Sequence, residues 1–193
     1  MCNRNRTLKA FVAVLIVFTG VASALAGGGN VLPPSANPNG YSLSGAAAAT
    51  ADFNTGGGPA DVPFAVINSD ATVKPGTVLY VPIFFSDDSP PVSPGFPTNV
   101  GDQQVDADFL LGLVNAEFGV EDFLVDVDGE TTVLSADYIR GVTTAPLPDG
   151  GGTQYIVSAA FLTPLTPGQH TVGIGGIIDD EPAVFVSYDV TVK

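Results

Sequence analysis

Residues Asp122–Leu134 read DFLVDVDGETTVL, and two structures compete for them. The acids and glycine of DVDGE suit the centre of a calcium loop, whereas the alternation around them suits two strands joined at a tip. Register separates the two. A calcium loop of the EF-hand kind has glycine sixth and a bidentate carboxylate twelfth; with Gly129 sixth, Leu124 falls first and Ser135 twelfth, and neither supplies the carboxylate required. Phe123, Val125 and Val127 instead alternate up to Asp128-Gly129, and Thr131 and Val133 continue beyond it. Asp-Gly is favoured in type I′ turns because both central residues must take positive φ. The stretch is predicted to be a β-hairpin.

The same pattern extends outward from that hairpin. The runs VPFAVI, TVLYVPIFF, TQYIVSAAFL, HTVGIGGII and AVFVSYDVTV are short, rich in β-branched and aromatic residues, and separated by turn residues. In FVSYDVTVK, Val186, Tyr188, Val190 and Val192 alternate with Ser187, Asp189 and Thr191, so one face is buried and the other is wet. Pro167-Gly168 marks the turn before the penultimate strand, proline presetting φ and glycine tolerating the left-handed region. Without long helical periodicity between the runs, the fold class is all-β, an antiparallel β-sandwich of immunoglobulin-like or jelly-roll-like kind. Its expected inward residues are Val78, Tyr80, Ile83, Phe85, Phe123, Val125, Val127, Ile156, Phe161, Val172, Ile174, Phe185, Tyr188 and Val190.

Three segments follow from this reading. Residues 1–26 form a secretory signal peptide: Arg4, Arg6 and Lys9 precede an apolar run from Ala10, and Ala24-Leu25-Ala26 supplies the small-residue cleavage site. The unbroken apolar run is shorter than the ~20 residues that span a bilayer. Residues 27–60 form a Gly/Ala/Pro-rich arm with a short helix, in which Ser42 or Ser44 is the cap and Leu43, Ala47 and Phe53 share a face; whether the arm packs on the domain stays open. Residues 61–193 form the sandwich, interrupted by one long irregular loop, SDDSPPVSPGFPTNVGDQQVDADFLLGLVNAEFGVED, where QVDADFLLGLV is expected to add a turn or two of helix.

The closing pattern LTPGQHTVGIGG…FVSYDVTVK resembles the last strands of immunoglobulin-like or jelly-roll-like domains in exported bacterial proteins. VKPGTVLYVPIFFSDDSPP is similar to segments of uncharacterised bacterial secreted proteins. The resemblance implies a sandwich and export to the periplasm or the medium. It carries over no catalytic residue.

Composition narrows the chemistry. Cys2 and Met1 are the only cysteine and methionine, so after cleavage no disulfide and no thiol nucleophile remains. From residue 27 onward Lys74, Arg140 and Lys193 face all 20 acids, a formal charge of −17. Nucleic acid and anionic membrane are therefore excluded as partners, because both need clustered Lys and Arg; a polysaccharide or another protein remains.

Candidate site residues concentrate in the long loop. Asp87, Asp88, Asp102, Asp106 and Asp108 supply the hard oxygen ligands of a calcium site if the loop folds back on itself. The competing reading is local: Asp106 or Asp108 near a helix N-terminus interacts favourably with the helix dipole. Asp179, Asp180 and Glu181 read as a solvated turn. His170 is the sole histidine and no G-x-S-x-G elbow is present, which with the missing cysteine also makes zinc improbable. Glu117 and Glu121 are the nearest pair for a glycosidase, and Tyr138 beside Arg140 is the best candidate for an exposed stacking aromatic in a chain without tryptophan. No catalytic residue and no cofactor other than calcium is assigned. The expected function is a secreted, non-enzymatic binding or structural protein, with a calcium-dependent carbohydrate-binding module and a hydrolase of envelope or extracellular polymer as the alternatives.

Overall fold

The computed structural model describes residues 30–193. The expected leader and the first three residues of the arm lie outside the described residues. In chain order the elements are α1 (Leu43–Asn54), β1 (Ala65–Val66), β2 (Ala71–Val73), β3 (Leu79–Asp87), α2 (Gln103–Phe118), β4 (Asp122–Val127), β5 (Glu130–Leu134), β6 (Ile139–Thr143), β7 (Gln154–Leu162), β8 (Gly168–Ile178) and β9 (Glu181–Val192). The described chain is thus mostly β, with two α-helices. One sheet has the order β1-β3-β7-β6 and the other β2-β9-β8-β4-β5.

Most pairings are antiparallel, but the sheets are mixed, since β1 runs parallel to β3 and β2 parallel to β9. The purely antiparallel expectation is corrected here. Both parallel strands are very short and precede a long partner, so they add onto an edge without needing a hairpin turn.

The hairpin at DVDGE is present, with Val127 opposite Glu130 and positive φ at Asp128 (55°) and Gly129 (86°). The β8–β9 hairpin closes in the same manner on Asp179 and Asp180, with φ of 52° and 64°. Two aspartates in the left-handed region need a short polar side chain to tolerate it.

The two sheets contribute to one buried cluster. Leu79 and Val81 of β3 and Ile156 and Ala160 of β7 share it with Phe123, Val125 and Val127 of β4, Val172 of β8 and Tyr188 and Val190 of β9. Helix α2 adds Ala107, Leu110 and Val114 to the same cluster. The opposite face of the first sheet is also covered: Tyr80, Tyr155, Val157 and Phe161 lie in a second cluster with Leu43, Ala46, Ala47 and Ala51 of α1. The arm therefore packs on the domain. Beyond Leu43, α1 turns the small side chains of Ala46, Ala47 and Ala51 into this cluster. Ser42 caps the helix, its hydroxyl accepting the Gly45 N–H at 3.1 Å, while Phe53, expected on the buried face, is only half-buried.

Strand β7 is buried from Tyr155 to Leu162 because both its faces are covered. Strand β3 changes face at a bulge, since Pro82 pairs with Ala159 and Phe84 with Ser158, leaving Ile83 unmatched. Tyr80 and Phe85 consequently look toward α1 rather than toward the second sheet, with Phe85 5.4 Å from the Tyr155 ring. Pro82 is accommodated at this irregularity, beyond the Leu79 and Tyr80 pairings that β1 makes.

The expected irregular loop is in large part the 16-residue helix α2. Its C-terminus stops at Gly119, whose φ of 71° lets its N–H return to the Asn115 carbonyl. Ring contacts join β3 to β4 through Phe84 and Phe123, with Phe118 from the end of α2 set edge-on against Phe84.

Candidate functional site

The acidic segment from Asp87 to Asp108 is resolved into separate tasks. Asp88, just past the end of β3, accepts the backbone N–H groups of Thr153 and Gln154 on one oxygen, at 2.6 and 2.8 Å. The Gln154 side-chain amide approaches the other oxygen at 3.3 Å. Burial works to raise its pKa, and these donors outweigh it, so the carboxyl is held below its ordinary range. Asp87 accepts the Ser89 N–H at 2.7 Å. Its pKa is pushed up, first by burial and further by the charges of Asp149 and Asp88, against the bonds from Ser89. Ser89 in turn donates to Asp149 and accepts the Gly152 N–H, which ties the loop before β7 to the end of β3.

Asp102 caps α2, accepting the N–H groups of Gln104 and Val105 at 3.1 and 3.2 Å. The cap itself thus falls on Asp102, while Asp106 lies in the first turn of α2, where the helix-dipole reading placed an acid. Asp106 lies inside the helix with no exposed surface and accepts the Gly101 N–H at 2.8 Å. Its carboxyl rests on Gly141 of β6, where a Cβ would collide with it, and its second oxygen has no partner. Burial raises its pKa, opposed by the N–H groups of Gly101 and Gly141 and assisted by the Asp102 charge. Asp108 is exposed and accepts only the Gln104 side chain.

The five aspartates are therefore near one another in sequence but face different partners. Among the described residues no group of three or more His, Asp or Glu side chains is arranged to hold a metal ion. Gln154, which sequence reasoning passed over, is the hub of this region: its side chain donates to Asp88 and accepts the Val100 N–H at 3.0 Å. Its sequence separation from both partners hides it, and only the β3–β7 pairing brings it there.

Glu117 and Glu121 are both exposed. Glu117 borders a shallow cleft of about 470 Å³ between α2 and the preceding loop, lined by Pro94, Gly95, Phe109, Leu113 and Ala116, while Glu121 uses its backbone N–H to reach Ile177. The cleft is apolar and presents one acid, which does not make the pair of carboxyls that glycoside cleavage requires. Phe109 of this lining packs edge-on against Phe96, ring centroids 5.1 Å apart.

His170 sits at the start of β8 with both ring nitrogens engaged. Nδ1 is 2.7 Å from the Asp128 carboxylate and Nε2 2.8 Å from the Thr166 carbonyl. Asp128 also accepts the Thr171 N–H at 2.8 Å and donates its own N–H to the Thr171 carbonyl. These residues line a shallow cleft of about 280 Å³ with Gln169, Asp189, Val190 and Thr191. The carboxylate and the backbone position the imidazole, and no hydroxyl nucleophile is bonded to it.

None of the five tyrosines is exposed. Tyr138, expected as a free aromatic, is half-buried and donates its hydroxyl to the Leu32 carbonyl at 3.0 Å, pinning the arm. Arg140 folds back on its own strand, donating to the Ile139 carbonyl. Tyr80 and Tyr155 lie beneath α1, where burial raises both hydroxyls well above their ordinary pKa.

No family model matches the sequence and no curated protein matches it. A solution structure of amebosin is similar to it at 14% identity over 68% of this chain and 100% of that chain, with a TM-score of 0.29. At that score the likeness carries no argument about fold or function.

Proposed function

We propose that the protein is exported, to the periplasm or beyond the cell, and acts there by binding a polysaccharide or another protein rather than by catalysis. In this reading the two sheets form a sandwich of immunoglobulin-like or jelly-roll-like kind. The observation that carries it is the commitment of the reactive groups. The sole imidazole has both nitrogens on acceptors, and Asp88, Asp102 and Asp128 each hold two backbone N–H groups or one such group and an imidazole. A general acid or base must be free to pass a proton to its substrate, and groups fixed in this way serve the fold.

The test is a screen of the purified protein against glycan arrays and extracts of extracellular polymer, reading binding and bond cleavage in parallel. Saturable binding without release of products is the expected result. Turnover that disappears in Glu117→Gln or Glu121→Gln brings back the hydrolase, and glycan binding abolished by chelation of calcium brings back the calcium-dependent module.

A further inference from the structure

We infer that His170 is a protonation-dependent clasp, which holds the tip of the β4–β5 hairpin against the β7–β8 connection in acid and releases it when the ring loses a proton. The geometry alone requires two donors on this ring. A backbone carbonyl only accepts, so Nε2 facing Thr166 carries a hydrogen. An ionised carboxylate only accepts, so Nδ1 facing Asp128 carries another. A neutral imidazole has a single N–H. On deprotonation one of the two contacts becomes lone pair against lone pair and opens.

The clasp adds to the Asp128–Thr171 bonds, which tie the hairpin tip to β8, a link from that tip to the connection that precedes β8. Asp128 belongs to the hairpin tip in the second sheet, whereas Thr166 belongs to the connection leaving β7 of the first sheet. The charged groups around the ring are acidic. Asp128 faces it from the turn, and Asp189 of β9, opposite Thr171, lines the same cleft. Asp126 of β4 is turned into the hairpin, accepting Gly129 and Thr131. The connection Thr163–Pro167 has no titratable side chain. Lys193, past the residue that pairs with Gly168, is the basic group of this end and donates its backbone N–H to Val73.

The direction of the titration agrees. The hydrogen bond to Asp128, then that to Thr166, raise the His170 pKa above its ordinary 6.5. Asp128 is held below its own ordinary value, its burial outweighed by the bonds from His170 and Thr171, so it stays ionised throughout. A raised folded pKa means that the stabilisation is complete below the unfolded value of 6.5 and is lost as pH rises through the folded value. The clasp is closed in acid and opens on the alkaline side of neutrality.

Long-range ¹H–¹⁵N spectra of the protein, purified without a histidine tag, follow its single imidazole directly. Both ring nitrogens are expected to be protonated at pH 5, with a midpoint above 6.5, and the Gly129 and Thr171 amides are expected to shift with that same midpoint. Asp128→Asn should bring the midpoint down, and His170→Gln should reduce the difference in melting temperature that the wild type shows between pH 5 and pH 9. A wild-type midpoint at or below 6.5, or turn amides indifferent to it, overturns the proposal, and this reading stands even if a variant fails to fold. A His170→Gln protein that keeps the wild-type pH dependence overturns it equally.

Discussion

Asp106 is a carboxyl with no exposed surface and one unpartnered oxygen, held against a glycine that leaves no room for a side chain. Asp106→Ala removes the acceptor of the Gly101 N–H and should cost about 1–3 kcal/mol, the penalty for a buried donor left unpaired. Asp106→Asn keeps an acceptor and discards the charge. Because burial raises the Asp106 pKa, its contribution is complete below the ordinary value of 3.8 and is lost as pH rises through the folded value. The stability of the Asn variant minus that of the wild type should therefore rise between pH 3.5 and pH 7, measured by urea unfolding; a difference that falls over that range contradicts this account. Of the acids, Asp128 was legible in the sequence as a turn residue, because an Asp-Gly pair between alternating runs has a local cause. Its bond to His170, 42 positions away, has none. The role of Asp88 was illegible for the same reason, since its donors lie 65 and 66 positions along the chain.

Helix α2 depends on its ends. Asp102 satisfies two of the orphan N–H groups, so Asp102→Ala should lower stability by about 1 kcal/mol, with Asp102→Asn or Asp102→Ser recovering most of it. Equal losses in all three variants by thermal melting would show that the cap is not the cause. This helix was the element least legible in the sequence. Leu110 and Val114 face the core while Val105 and Phe118 are about half exposed, at 46% and 48%, so its apolar residues draw no single stripe. Gly112 in its middle also reads as a loop signal. The strands were legible where a period of two persists, as in β4, β5 and β9. Strand β6, Ile-Arg-Gly-Val-Thr, breaks that period with Arg140 and Gly141, and β2 is three residues long. In β3 the sequence pointed to Tyr80 and Phe85 as inward, whereas Leu79 and Val81 face the second sheet and Tyr80 and Phe85 lie under α1, a covering that no local pattern in the strand announces.

At the scale of the molecule, strong acidity coexists with carboxylates committed to internal partners. Residues 27–193 carry a formal charge of −17, which favours solubility and repels polyanions, yet Asp87, Asp88, Asp102 and Asp106 are spent on backbone N–H groups, with Asp108 left exposed on α2. The same sequence feature supports both calcium binding and internal anchoring, and the two make opposite predictions about stability. Thermal unfolding of the protein, first in chelator and then in millimolar calcium, decides between them. A ligand at a hundredfold excess over its dissociation constant adds about 2.7 kcal/mol, a rise of roughly 5–10 °C for a domain of this size. With these carboxylates serving as anchors the melting temperature should stay where it is; a calcium-dependent rise of that size, lost in Asp88→Asn, would contradict the account.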